Sequence, residues 1–103
     1  MTDISYEERV KTYTNALISF GEENQIIVAI EELSECQKEL CKFLRGIGNM
    51  DNLAEEMADA VIMLEQMRII FGLDELVENW MDRKVRKLDD KLRRKAGVQM
   101  LDG

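Results

Sequence analysis

Residues 51–71 read DNLAEEMADAVIMLEQMRIIF, and their apolar side chains recur at helical intervals. The spacing predicts a helix that is capped by Asp51 and ends near Phe71. Its expected core stripe consists of Leu53, Met57, Ala60, Leu64, Met67 and Phe71. Further branched residues make this helix apolar nearly all round, which is typical of a helix buried on several sides. A subunit of four helices can hardly bury it so completely, so we expect the chain to self-associate.

Two more helices precede this stretch. The first is predicted from Tyr6 to Phe20, because Ser5 and Glu8 have the spacing of a capping box and Gly21 follows the last apolar residue. The second is predicted over residues 23–45, before two glycines. Its expected core stripe consists of Ile26, Ile30, Leu33, Leu40 and Leu44.

A fourth helix is predicted from an Asp74 cap to about Lys95. No segment has the alternating pattern of a strand. The fold class is therefore all-α, with four helices in a subunit that forms an oligomeric helical bundle. We expect residues 1–103 to form a single domain, with residues 97–103 as a flexible tail.

Two acidic motifs lie on the second and third helices, EELSE at residues 31–35 and EEMAD at residues 55–59. Residues three apart share a helical face, so each motif places two carboxylates side by side. If the two helices pack antiparallel, four carboxylates converge and repel one another unless a cation lies between them. All-oxygen ligation suits Mg²⁺ or Mn²⁺, which often also bind substrate phosphates. The alternative is two solvated acidic faces.

The chain has no histidine. That absence excludes Ser-His-Asp and Cys-His catalysis, histidine-ligated zinc and the Glu-x-x-His di-iron sites of helical bundles. The two cysteines, Cys36 and Cys41, are badly spaced for a disulfide within one helix, so we expect reduced thiols that pack. Carboxylate, lysine, arginine and hydroxyl groups remain as the reactive side chains.

The net charge of −7 is unevenly distributed. Residues 82–95 carry eight Lys/Arg against three Asp, whereas residues 1–81 carry six Lys/Arg against 17 Asp/Glu. An acidic body argues against nucleic acid as a partner. No apolar run is long enough to span a bilayer, and the first residues lack the pattern of a signal peptide. We therefore expect a cytoplasmic protein with no membrane partner.

The order of these motifs resembles a known family. Over roughly residues 20–90 the chain resembles the MazG-like, all-α nucleoside triphosphate pyrophosphohydrolases. The residues that carry the resemblance are Gly21, Gln25, Glu31-Glu32-x-x-Glu35, and Glu56-x-x-Asp59 followed by AVIML. The resemblance implies a homodimer or homotetramer of helical subunits. It also implies a nucleotide-binding hydrolase that uses Mg²⁺, with Mn²⁺ as a substitute, to cleave an NTP or dNTP to the monophosphate and pyrophosphate.

The same resemblance implies roles for particular residues. Glu32, Glu35, Glu56 and Asp59 would be the metal-binding and catalytic carboxylates. Glu31 would support these ligands or belong to a second metal site. On the fourth helix, the phosphate-binding candidates are Arg83, Lys84 and Lys87.

Two other functions remain open at this point. A phosphoribosyl-ATP pyrophosphohydrolase has a similar acidic helix. A non-catalytic helical interaction protein would have the same fold without turnover. The sequence leaves open the preferred base and sugar, the carboxylate that acts as general base and the phosphorus that is attacked.

Overall fold

The computed structural model describes the backbone of residues 3–102 and the side chains of residues 3–97. It contains four helices, α1 (Tyr6–Phe20), α2 (Glu22–Leu44), α3 (Met50–Ile70) and α4 (Asp74–Asp102), and the described residues include no strand. The all-α, four-helix prediction is confirmed. The chain divides after Gly72 into two compact units, the first formed by α1–α3 and the second by α4.

The predicted limits of α1 are confirmed at both ends. The Ser5 hydroxyl accepts a hydrogen bond from the Glu8 backbone N–H, and the Glu8 carboxylate accepts one from the Ser5 backbone N–H. This capping box satisfies two donors that a helix N-terminus would otherwise leave unpaired. Gly21 ends the helix at φ 87°, a conformation that favours glycine, and donates to the Leu17 carbonyl.

The predicted cap of α3 is wrong by two residues. Asn49, in an extended conformation, accepts a hydrogen bond from the Asn52 backbone N–H at 3.1 Å, so the helix begins at Met50. Asp51 lies inside the first turn, where its negative charge still favours the helix N-terminus. An aspartate is favourable both as the N-cap and within the first turn of a helix, so the sequence alone does not distinguish these two positions for Asp51.

Helix α4 continues beyond Lys95, where the sequence predicts its end, through Gly97 to Asp102. A single glycine inside a helix costs only about 1 kcal/mol relative to alanine, so it does not necessarily end one. The prediction that residues 97–103 are flexible falls mostly on residues whose side chains lie outside the described part of the structure.

Helices α2 and α3 form a hairpin and pack against each other more extensively than any other pair in the first unit. The connection between them spans only residues 45–49, which makes the two helices antiparallel neighbours. Gly48 lies in this connection, where an added Cβ would come within 2.8 Å of the Phe43 Cα atom. Helix α1 packs on both members of the hairpin.

The faces that α2 and α3 bury coincide only in part with the predicted core stripes, since Ala60 is the one member of those stripes that is buried. Ala29, Ala60 and Met63 are buried, together with the polar residues Gln25 and Gln66. Most large members of the predicted stripes are exposed in the single chain, namely Ile30, Leu33, Leu40, Leu44, Met57, Leu64 and Phe71. The core prediction is therefore confirmed for Ala60 and wrong, in one copy of the chain, for the exposed members. Small and polar side chains let the two helices meet along their acidic sides, and the larger apolar side chains face outward.

Among the described residues, no helix combines the length and apolar character that crossing a membrane requires.

Candidate metal centre

The α2–α3 hairpin brings three of the predicted carboxylates together. Glu56 and Asp59 lie one turn apart on α3, and Glu32 lies opposite them on α2. One carboxylate oxygen from each residue lies within 4.8 Å of the other two, and all three residues are half-buried. We call Glu32, Glu56 and Asp59 the acidic trio. Its formation depends on the antiparallel packing that the sequence predicted for these two helices.

Burial and mutual repulsion make full ionisation of the trio costly. Burial raises the pKa of Glu32 above its ordinary value, the negative charges of Asp59 and Glu56 raise it further, and a hydrogen bond with Asp59 adds to the effect. Burial also raises the pKa of Glu56, followed by the charges of Asp59 and Glu35. A bound cation would relieve this repulsion.

One acceptor of the trio has no protein partner. The Oε2 atom of Glu56 is buried and makes no hydrogen bond among the described residues. A buried acceptor without a donor costs about 1–3 kcal/mol, and more when it is charged. The atoms of the trio that could bind a metal are all carboxylate oxygens, which are the ligands that Mg²⁺ and Mn²⁺ prefer. The residues of the trio thus fit a divalent cation of this class.

The other predicted acidic residues lie outside the trio. Glu35 is exposed, but it is near enough that its charge raises the pKa of both Glu32 and Glu56. Glu31 is exposed and does not share the cluster. Of the four carboxylates expected to converge, three do so and the fourth, Glu35, lies beside them.

Glu39 is a neighbour of the trio that lies outside the two acidic motifs. It is buried, and its carboxylate pairs with the Lys42 ammonium at 3.1 Å. Its charge also raises the pKa of Glu56. Glu39 follows Glu35 by one helical turn on the same side of α2. The spacing of three or four residues that relates Glu32, Glu35 and Glu39 is therefore the sequence signal for its position beside the trio.

The predicted phosphate-binding residues lie on α4 and are exposed. The Arg83 guanidinium lies 5.2 Å from the centre of the Trp80 ring and the Lys84 ammonium 5.8 Å, both within the range of a cation–π contact. Two other cations of this helix are neutralised by acids one turn earlier, Arg86 by Asp82 and Arg93 by Asp89. Among the described residues, Arg83, Lys84 and Lys87 have no carboxylate partner.

No protein-family model, curated protein or solved structure matches this chain.

Proposed function

We propose that this chain is a Mg²⁺-dependent nucleoside triphosphate pyrophosphohydrolase of the MazG-like, all-α type, which cleaves an NTP or dNTP to the monophosphate and pyrophosphate. The observation that carries the proposal is the acidic trio. Its three oxygens lie within 4.8 Å of one another, and the Glu56 Oε2 atom lacks a protein partner. Carboxylate clusters of this kind bind Mg²⁺ together with substrate phosphates.

In this proposal the carboxylates of the trio would hold the cation, and a cation bound there would supply positive charge to the phosphates and acidify a bound water. Glu32 would supply an oxygen from α2, and Glu56 and Asp59 would supply oxygens from α3. Glu35 lies beside the trio and is exposed, so its carboxylate is available to accept a proton. Since the chain has no histidine, a carboxylate is the best candidate for the general base.

Phosphate oxygens also need positive charge from the protein. Arg83, Lys84 and Lys87 are the candidates, because they carry charge that no described carboxylate neutralises. Arg83 and Lys84 contact the Trp80 ring, which restricts their side chains on the helix surface. In our proposal these three residues bind the oxygens of the triphosphate.

We further propose that the active form is a homodimer or homotetramer. The exposed stripes of α2 and α3 include Ile30 at 60% and Leu44 at 84% exposure. Large exposed apolar side chains at regular helical positions are typical of obligate subunit interfaces. A second copy that covers both stripes would complete a helical bundle around the hairpin and would leave the trio between α2 and α3 in place.

The experiment that tests this function measures pyrophosphate and monophosphate after incubation with Mg²⁺ and a panel of NTPs and dNTPs. We expect release from one or a few nucleotides, loss of release in EDTA, and loss of at least about a hundredfold in kcat for Asp59→Asn. Asp51→Asn is the matched control, since Asp51 lies on the same helix, is exposed and is outside the trio. Equal activity of the two variants would exclude the assigned site.

If a folded, oligomeric protein cleaves none of the nucleotides in the panel, nucleoside triphosphates are not its substrates. The next substrate in the same assay is phosphoribosyl-ATP. If that compound is also unchanged and Mg²⁺ does not raise the unfolding temperature, the chain is a non-catalytic helical protein.

A further inference from the structure

Helix α4 carries a stripe of apolar side chains along one side. At roughly 100° per residue, five of its apolar residues fall within an arc of about 80°. This apolar stripe consists of Val77, Met81, Val85, Leu88 and Leu92. Val77 is half-buried, whereas the other four residues are between 51% and 62% exposed. The stripe therefore places apolar surface in water over about three turns of the helix.

A stripe of positive charge runs directly beside the apolar stripe. Six cations share an arc of about 120°, and between residues 83 and 95 no acidic residue falls inside it. This basic stripe consists of Arg83, Lys84, Lys87, Lys91, Arg94 and Lys95. All six are exposed, and none has a carboxylate partner among the described residues. The last three have no role in the proposed hydrolase.

The side of α4 opposite the basic stripe carries little net charge where its other arginines lie. Arg86 lies 3.0 Å from Asp82, and Arg93 lies 2.8 Å from Asp89. Each of these arginines is neutralised by an acid one turn earlier on the same side. The unpaired positive charge of the helix is therefore concentrated next to its apolar stripe.

Trp80, the only tryptophan of the chain, extends the basic stripe by one turn towards the start of the helix. It is 50% exposed, and its ring contacts Arg83 and Lys84. Tryptophan favours the boundary between water and an apolar phase, because its indole ring is apolar but carries an N–H donor. We call the two stripes together with Trp80 the amphipathic face of α4.

The chemistry of the amphipathic face distinguishes among partners. A nucleic acid would neutralise the cations and leave the apolar stripe in water. Two α4 helices that pair through this stripe would form too short a seam, because Glu78 and Lys95 occupy the heptad positions at its ends and a coiled coil needs three or four heptads. An anionic bilayer surface supplies both complements, acyl chains for the apolar side chains and headgroups for the cations.

We propose that α4 binds an anionic lipid surface and lies in the plane of that surface, with its apolar stripe among the acyl chains and its cations at the headgroups. A helix in this position does not cross the bilayer. The lack of a membrane-spanning run, which underlies the expectation of no membrane partner, therefore does not bear on it. The lipid surface is a partner additional to the proposed substrate, and its binding does not depend on hydrolase activity.

The first test mixes the full chain with vesicles in EDTA, so that no cation links the acidic trio to lipid. Trp80 emission reports on α4 alone, since the chain has no other tryptophan. Vesicles of phosphatidylcholine and phosphatidylserine should shift this emission to shorter wavelength and sediment with the protein, and pure phosphatidylcholine should do neither. Raising salt from about 0.1 M to about 1 M should weaken binding about tenfold or more, because the Debye length falls from about 10 Å to about 3 Å. Absence of binding to the anionic vesicles would overturn the proposal.

The second test compares two double variants of α4. Lys91→Gln with Lys95→Gln, and Arg86→Gln with Arg93→Gln, each remove two positive charges from exposed positions. The first pair lies on the basic stripe and should weaken binding to anionic vesicles about tenfold or more. The second pair lies on the opposite side, about one Debye length away, and should weaken it less than about threefold. Equal losses in the two double variants would show that only net charge matters and would overturn the proposal.

The third test concerns the apolar stripe. Leu88→Gln with Leu92→Gln keeps the charge of α4, and because both positions are exposed the helix should remain, as circular dichroism can verify. This double variant should bind anionic vesicles about tenfold more weakly or worse, since it removes apolar surface that enters the lipid. Unchanged binding would overturn the proposed insertion.

Two further results would assign the amphipathic face to another partner. A shift of Trp80 emission with poly-glutamate or a single-stranded oligonucleotide, but not with vesicles, would overturn the proposal in favour of an acidic polymer. A shift that grows with protein concentration in the absence of lipid, with no further change when anionic vesicles are added, would overturn it in favour of a second copy.

Discussion

Glu32 and Glu56 are two residues at which burial and neighbouring charge act against the stability of this fold. Each is half-buried beside other carboxylates, so each has a raised pKa and destabilises the metal-free fold when it ionises. Such an arrangement is unfavourable for stability alone. A divalent cation bound at the trio would replace the repulsion among the carboxylates with attraction between each carboxylate and the cation.

The raised pKa values predict the pH dependence of the metal-free protein. Folded Glu32 and Glu56 hold protons at pH values where the unfolded chain, with ordinary values of 4.5, has released them. Their contribution therefore raises the free energy of unfolding as pH falls from neutral towards 4.5. Urea unfolding of wild type and Glu56→Gln in EDTA should show a smaller pH dependence in the variant. An identical dependence in both proteins would contradict the assigned repulsion.

Tyr13 provides a second test at this scale. Burial raises its pKa from 10.0 to about 12, assisted by the hydrogen bond to Glu65 and the charge of that carboxylate. Tyrosinate absorbance, taken as the difference between wild type and Tyr13→Phe, should therefore appear near pH 12. Glu65→Gln should move this titration to lower pH, since it removes a negative neighbour. A titration of Tyr13 near 10.0 in the folded wild type would contradict the burial of its hydroxyl beside Glu65.

At the scale of the helices, caps and glycines made most limits predictable. Ser5 with Glu8 and Gly21 identify both ends of α1 in the sequence, because their roles depend only on near neighbours. Asn49 was missed because three polar residues near the start of α3 are each acceptable caps. The end of α4 was missed because one glycine costs too little to stop a long helix.

The assignment of the α3 cap to Asn49 leads to a direct prediction. Asn49→Ala removes the acceptor for the Asn52 backbone N–H and should lower the free energy of unfolding by about 1 kcal/mol. Asp51→Ala, which removes only a charge near the helix start, should cost less, about 0.3–1 kcal/mol. Urea unfolding in EDTA measures both. A larger loss for Asp51→Ala would restore Asp51 as the cap.

The choice of buried face was not predictable from one sequence, for a reason that concerns α2 and α3 together. Each helix has a large apolar stripe and, beside it, a stripe with small residues and carboxylates. Periodicity identifies both stripes but does not say which one meets the neighbouring helix and which one stays exposed in the single chain. The acidic spacing predicted four converging carboxylates, and three of them meet because the short connection makes α2 and α3 antiparallel neighbours.

For the whole molecule, the exposed stripes predict self-association. Leu64 is 47% exposed in the single chain, so a charge there is tolerated in the isolated fold but not in an apolar interface. Wild type should sediment as a dimer or tetramer, and Leu64→Lys should shift the equilibrium to the monomer. Ile18→Lys, at an exposed apolar position on α1, is the matched control. A wild type that stays monomeric at high concentration would contradict the proposed assembly.

We propose that Glu32, Glu56 and Asp59 hold a divalent cation, and a titration with Mn²⁺ measures that binding without any assumption about the substrate. Electron paramagnetic resonance measures free Mn²⁺ while protein is added, with Mg²⁺ as the competitor. We predict saturable binding that Mg²⁺ displaces, a loss of affinity of about tenfold or more in Glu56→Gln and Asp59→Asn, and wild-type affinity in Asp51→Asn. Equal Mn²⁺ affinity in wild type and both trio variants, or no saturable binding at all, would contradict the account.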